Sequence, residues 1–90
     1  MSDPIAKLLN ERVVLDTAGS VLYFGTLVEV TDAVFVLTDA DLHDCRDGHA
    51  DKETYTAEIA REGVAINRSR IVVMRGCVMS MSRLADVVAE

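Results

Sequence analysis

Short runs of β-branched and aromatic residues recur along the first half of the chain and predict β-strands. The runs at 12–17 and 21–30 are separated by Ala-Gly-Ser at 18–20, a typical turn sequence, so we expect them to pair as antiparallel neighbours. A third run, AVFVLTD at 33–39, follows a Thr-Asp turn at 31–32 and is apolar on both faces. The pattern therefore predicts three consecutive strands.

Two further strands are predicted in the second half. The segment ETYTAEIA at 53–60 places Tyr55 and Ile59 on one face if it is extended, and a helix is the competing interpretation. Polar NRSR at 67–70 then provides a tight connection to IVVM at 71–74, which is a buried strand by composition. We expect strands four and five at these positions.

Both ends of the sequence carry helix signals. Residues 1–11 contain Pro4, which suits the first helical turn, and Ile5 and Leu8 are spaced to share one face. The segment SRLADVVAE begins with a capping serine and predicts a short helix within residues 76–90. The chain is thus expected to have an N-terminal and a short C-terminal helix around its strands.

The second strand is interrupted by Gly25, and a glycine inside a strand permits the sharp bend or close backbone approach that small barrels need. Five short, bent strands favour a barrel, because closure protects edges that would otherwise be exposed. We therefore predict a mainly β protein with one domain over residues 1–90. The barrel is expected to be small, strongly bent, five-stranded and antiparallel, similar to an SH3-like barrel. It would occupy 12–75 and be followed by a C-terminal extension at 76–90.

An acidic stretch, predicted as a loop at 40–53, raises the question of a metal site. Residues 39–51 read DADLHDCRDGHAD and combine aspartate, histidine and cysteine. The spacing of His43, Cys45 and His49 matches no standard zinc motif, and the aspartates lack the pattern of an EF-hand. We expect a solvated hairpin tip turning at 47–48, with no metal or other cofactor.

Charge and composition argue against two classes of function, duplex nucleic-acid binding and catalysis. The 90 residues carry a net charge of −6, with 12 acidic and 4 basic side chains in 1–60 but 3 and 5 in 61–90. Binding to duplex nucleic acid is not expected, because it needs clustered Lys and Arg. No nucleophile triad, phosphate loop or zinc-protease helix occurs, so the chain is predicted not to be an enzyme.

The compartment is predicted from cysteine usage and apolar runs. Cys45 and Cys77 lie far apart, no secretory leader is evident, and no apolar run approaches the roughly 20 residues that span a bilayer. These features favour a reduced, cytoplasmic protein without membrane contact.

The stretch GSVLYFGTLVEVTDAVFVLTDA at 19–40 resembles the first motif of Sm and Sm-like (LSm) proteins. In that family, an aromatic-x-Gly-x-Leu strand precedes a turn containing Asp and a strand carrying Met-Asn. The segment 23–27 fits the first part. Asp32 lies one position later than the usual aspartate, and Phe35 stands where the family has asparagine.

The family's second motif, Ile-Arg-Gly followed by an aliphatic strand, has two candidate positions. Residues 66–71 keep the Ile-to-aliphatic spacing without Arg-Gly, whereas Met-Arg-Gly-Cys-Val at 74–78 keeps the letters but is one residue short. The position at 66–71 is preferred, because it leaves 71–75 as a fifth strand of ordinary length.

The resemblance implies a ring of five to seven copies, in which the fourth strand of one copy pairs with the fifth strand of the next. An unpaired ladder would otherwise be exposed at the edge of the sheet. It also implies single-stranded RNA binding at the pore. The candidate RNA-binding residues are Asp32, Phe35, Asn67, Arg68 and, if the second motif lies at 74–78, Arg75. The alternative is a protein-binding or scaffolding ring that has lost RNA binding, which the acidic balance and Phe35 favour.

Overall fold

The computed structural model describes residues 3–46 and 51–88. These residues form five strands and one α-helix, with short 3-10 turns at Ala6–Leu8, Arg75–Cys77 and Leu84–Asp86. The elements are β1 (Arg12–Thr17), β2 (Val21–Val30), β3 (Val34–Asp44), α1 (Lys52–Glu62), β4 (Arg68–Met74) and β5 (Val78–Arg83). Within the described ranges, no helix is long and apolar enough to cross a membrane.

The strands form one antiparallel sheet in the order β4-β3-β2-β1-β5. The prediction of five antiparallel strands is thereby confirmed, and the first two lie where the sequence placed them. The sheet bends strongly but does not close within the chain, because β4 and β5 pair with no common neighbour and lie at opposite edges. Both edge strands are therefore open to another chain.

The bend in β2 depends on Gly25. Its φ is +155°, and a Cβ at this position would lie 3.0 Å from the Thr38 carbonyl oxygen and 3.1 Å from the Ala40 Cβ. The pairing of β2 with β3 shifts register between Phe24 and Thr26, on either side of the glycine. The predicted close backbone approach is confirmed, since no larger side chain fits without moving β3.

The chain has a hydrophobic core on each face of the sheet. The inner core contains Val13, Leu15, Leu27, Phe35, Leu37, Ala40 and Val73. The outer core contains Val14, Leu22, Phe24, Ile59 and Leu84. Because Ile59 belongs to α1, the helix covers the outer face and supplies burial that a bare five-stranded sheet would lack.

The predicted fourth strand at 53–60 is wrong, since this segment is part of α1. Tyr55 and Ile59 are four residues apart and share a face in either conformation, so the alternation was ambiguous. Local capping favours the helix, because the Asp51 carboxylate accepts a hydrogen bond of 2.8 Å from the Thr54 N–H. Gly63, with φ of +95°, ends it.

The predicted acidic loop at 40–53 is also wrong in its bounds. Residues 40–44 continue β3, where Val21 pairs with Asp44, and the helix begins at Lys52. Ala40 and Asp41 are buried, because the extended β3 packs against the full length of β2. The predicted turn at 47–48 lies outside the described residues.

The second half of the sheet differs from the prediction. Residues 71–74 belong to β4, and β5 comes from the segment expected to be a C-terminal extension. The sequence of β5, VMSMSR, is only partly buried, and its place is set by pairing with β1 more than 60 residues earlier. Local pattern could not reveal a strand that depends on so distant a partner.

The predicted terminal helices are 3-10 turns. At the N-terminus, of which residues 1–2 are outside the described part, the turn Ala6–Leu8 ends because Asn10 (φ +67°) donates its N–H to the Leu27 carbonyl and leads into β1. At the C-terminus the turn Leu84–Asp86 buries Leu84 in the outer core.

Candidate functional site

Two turns meet at one end of the β3–β4 ladder, and Arg75 joins them. The Arg75 N–H donates to the Ala33 carbonyl at 2.9 Å, and one guanidinium N–H donates to the Thr31 carbonyl at 2.8 Å. Residues 31–33 between β2 and β3, together with Arg75–Cys77 between β4 and β5, are called the paired turns below. They place a cation beside an exposed loop.

Thr31 fixes the shape of the first turn. Its hydroxyl oxygen accepts hydrogen bonds of 3.0 Å from the N–H groups of both Ala33 and Val34. This side-chain cap replaces backbone partners that the turn lacks. Asp32 projects from the turn as an exposed residue and makes no hydrogen bond or ion pair with any residue in 3–46 or 51–88.

The structure places Phe35 directly beneath Arg75. The ring is buried at 3% exposure in the inner core, and the central guanidinium carbon lies 5.1 Å from the ring centroid. The stack holds the guanidinium plane in position. The ring itself is covered, so the stacking surface that this pair offers to solution is the guanidinium.

Asn67 and Arg68 lie at the other end of the same ladder. Ala40 pairs with Arg68, whereas Val34 pairs with Met74, so the two ends are separated by six positions of β3, roughly 20 Å. The Arg68 guanidinium donates to the Asn67 carbonyl at 2.9 Å. The structure therefore brings together Asp32, Phe35 and Arg75, and leaves Asn67 and Arg68 apart from them.

The preferred position of the second motif, 66–71, rested on a fifth strand at 71–75, and the structure overturns that reason. Residues 68–74 form β4, and the Arg-Gly dipeptide at 75–76 lies in the connection to β5. The alternative position at 74–78 is the one that contacts the β2–β3 turn.

An apolar cavity of about 300 Å³ opens beside the paired turns. Its lining includes Ile5, Leu8, Phe35, Arg75, Met79 and Met81. A larger cavity of about 450 Å³ lies between α1 and the sheet, where the Lys52 ammonium already contacts Asp16 at 2.6 Å and the Thr17 carbonyl at 2.8 Å. The cavity beside Arg75 is thus the one that combines apolar walls with the arginine of the two turns.

A second polar group of residues, which the sequence did not reveal, lies between α1 and the sheet. The Asp41 carboxylate, 2% exposed, accepts hydrogen bonds from the Tyr55 hydroxyl and, at 2.8 Å, from the Asn67 side-chain amide. The Asn67 side-chain oxygen accepts from the Leu42 N–H at 3.0 Å. Asp41, His43, Tyr55 and Asn67 are called the interior cluster below.

Tyr55 is held at the centre of the interior cluster. Its ring stacks on His43 with 3.6 Å between centroids and meets the edge of Phe24 at 5.6 Å. Burial, followed by the hydrogen bond to Asp41, raises the pKa of the Tyr55 hydroxyl above its usual value. Two ligand-type residues of the acidic stretch, Asp41 and His43, are therefore engaged in packing, and residues 3–46 and 51–88 contain no group of three metal ligands.

No family model and no curated protein matches this sequence. Among solved structures, the chain is similar to the Sm protein of Pyrococcus abyssii, described in complex with a uridine heptamer. The TM-score is 0.61 at 17% sequence identity, and the alignment covers 91% of this chain and 99% of the other. The chain therefore has the Sm fold, as its first motif suggested.

Proposed function

We propose that the chain assembles into a homo-oligomeric ring and binds single-stranded RNA at the paired turns. The observation that carries this proposal is the contact of Arg75 with both Thr31 and Ala33 in a chain with the Sm fold. The similar Sm protein of P. abyssii is described with a uridine heptamer, which supports RNA as the ligand class.

Ring assembly is supported by the two edges of the sheet. β4 exposes the apolar side chains of Val72 and Met74, and β5 exposes that of Met79; each of these strands has a neighbour on one side only. Pairing β4 of one copy with β5 of the next would satisfy the backbone groups and bury these side chains. Such a head-to-tail contact repeats around a closed ring, which the family resemblance puts at five to seven copies.

RNA binding is supported by the chemistry of Arg75. A guanidinium has five N–H donors. Within the described residues, one guanidinium N–H of Arg75 donates to the Thr31 carbonyl, and its backbone N–H donates to the Ala33 carbonyl. The remaining guanidinium donors suit phosphate or a base edge, and the planar face suits base stacking. Ring closure would repeat this cation around the pore and partly offset the acidic chain.

Two measurements test the proposal. Native mass spectrometry should give one defined multiple of the chain mass, and a labelled uridine heptamer should bind with an affinity that falls as salt rises. A single-chain mass at all concentrations would refute the ring. Absence of binding by all four homo-oligonucleotides at low salt would refute the RNA site.

The second candidate is a ring that binds protein and not RNA. The net charge of −6 favours it, because an acidic surface repels phosphate. Under this alternative, the oligomer forms but no oligonucleotide binds at any salt concentration. We propose no catalytic role.

A further inference from the structure

Most polar groups of the paired turns are already committed within the chain. The Thr31 hydroxyl accepts two backbone N–H groups, and the carbonyls of Thr31 and Ala33 both accept from Arg75. The Phe35 side chain has no hydrogen-bonding atom, and the Cys77 thiol donates to the Met74 carbonyl at 3.0 Å. Any reading of a base edge by side chains of the paired turns therefore falls to Asp32 and Arg75.

Asp32 is suited to this role by its position. The residue before it and the residue after it are each held by Arg75, through hydrogen bonds of 2.8 and 2.9 Å. Its own carboxylate is exposed and contacts no charged group in the described ranges. An ionised carboxylate accepts hydrogen bonds and donates none. The site thus presents an exposed acceptor on a turn whose backbone is held by Arg75.

The four bases differ in what they offer such an acceptor. Guanine presents two adjacent N–H donors on its Watson–Crick edge and can bind a carboxylate in bidentate fashion. Uracil presents one N–H between two carbonyl oxygens, which a carboxylate repels. Adenine and cytosine present one amino group beside a ring-nitrogen acceptor. We infer that Asp32 makes the paired turns select guanine over uracil, an inference that rests on the proposed RNA site.

The guanidinium of Arg75 makes this selection compatible with RNA binding. A carboxylate alone would repel the phosphates, but Arg75 supplies a positive charge and a stacking face at the same turn. The arginine then contributes affinity for any base, and Asp32 contributes the difference between bases.

The test compares heptamers that differ at one base. A uridine heptamer is titrated against the same heptamer with its central uridine replaced by guanosine, which avoids the self-association of guanosine homopolymers. The guanosine heptamer should bind about tenfold more tightly, the order of one bidentate base contact. A uridine heptamer with inosine at its centre keeps the ring N–H but lacks the amino group. Its affinity should fall between those of the other two heptamers.

Asp32→Asn provides the matched variant, because an amide has both a donor and an acceptor and suits uracil. We expect it to lose the preference for guanosine and to bind the uridine heptamer more tightly than the parent chain does. This gain of binding cannot result from misfolding. The readout is the ratio of the two affinities, since loss of a negative charge strengthens binding to every RNA.

The outcomes separate the inference from the proposed function. If the uridine heptamer binds as tightly as the guanosine heptamer or more tightly, or if Asp32→Asn leaves their ratio unchanged, the selection by Asp32 is refuted while the RNA site stands. If no heptamer binds at low salt, the proposed function itself fails, and the inference with it.

Discussion

The two ends of the β3–β4 ladder carry similar residue types in opposite states. At one end the interior cluster buries the Asp41 carboxylate and engages it with two side chains. At the other end the paired turns leave the Asp32 carboxylate exposed and without a partner in the described ranges. Residue type alone does not separate a structural aspartate from one available for binding. Burial and hydrogen bonding do.

Arg68, at the start of β4, and Arg75, just after its end, show the same contrast. Arg68 lies next to the interior cluster and donates to its neighbour's carbonyl. Arg75 reaches across to a different turn and covers an aromatic ring. The contact of Arg68 with Asn67 holds only Arg68 in place, whereas the contact of Arg75 with Thr31 joins two turns into one surface. We therefore expect mutations at the two ends to separate stability from RNA binding.

The largest effect is expected from Asp41→Ala. It removes the acceptor for both the Tyr55 hydroxyl and the Asn67 amide, and unsatisfied buried donors are costly. The free energy of unfolding should fall by about 3 kcal/mol. The measurement is urea denaturation at a fixed protomer concentration, because assembly also contributes to stability.

Asp32→Ala is the matched control for this change. It should alter the free energy of unfolding by less than about 0.5 kcal/mol, since the residue is exposed and has no partner in the described part of the chain. Equal losses in the two variants would contradict the assignment of Asp41 to structure and Asp32 to binding.

The next effect concerns RNA affinity. Arg75→Ala should weaken binding of the uridine heptamer by at least about tenfold, because it removes a cation, a stacking face and the link between two turns. Fluorescence anisotropy at low salt measures the change. Native mass spectrometry of the same variant checks that the assembly is retained.

Arg68→Ala is the counterpart, with the same loss of charge at the far end of the ladder. It should change the affinity by less than about threefold and reduce the salt dependence little, because its distance from the paired turns is roughly 20 Å. A loss as large as that of Arg75→Ala would move the RNA site toward Asn67 and Arg68, as the sequence resemblance first suggested.

The parts of the fold that sequence predicted are those set by local pattern. β1 and β2 have continuous β-forming runs and a turn between them, and Gly25 marks the bend. The assignment at 53–60 failed because Tyr55 and Ile59 share a face in both a strand and a helix. β5 was missed because its partner, β1, is distant and its own sequence is half polar.

The candidate site was predictable in part for a related reason. Asp32 and Arg75 belong to short motifs that a resemblance can locate, although only the fold shows that the two turns touch. The interior cluster has no such signal. Asp41 and Asn67 are 26 residues apart, and their contact depends on where β3 and β4 pair. Asn67 was therefore assigned to RNA on spacing, while its side chain holds Asp41.

The smallest effect is a change in how stability depends on pH, and it tests whether Tyr55 belongs to a buried group. Burial and then Asp41 raise the pKa of the Tyr55 hydroxyl in the folded chain, whereas an unfolded tyrosine titrates near pH 10. Its contribution is complete below about pH 10. Above that value the unfolded chain releases the proton while the folded chain retains it, so the free energy of unfolding should fall as the pH rises.

Tyr55→Phe should make this alkaline decline shallower, because it removes the group that titrates differently in the two states. Tyr23→Phe is the matched control: the pKa of Tyr23 is also raised by its burial, but this hydroxyl lacks the bond to a buried carboxylate. Urea denaturation between about pH 9 and 11 gives the slopes. A decline as steep in Tyr55→Phe as in Tyr23→Phe would show that the tyrosine of the interior cluster is no more protected than Tyr23, which is partly buried against the inner core.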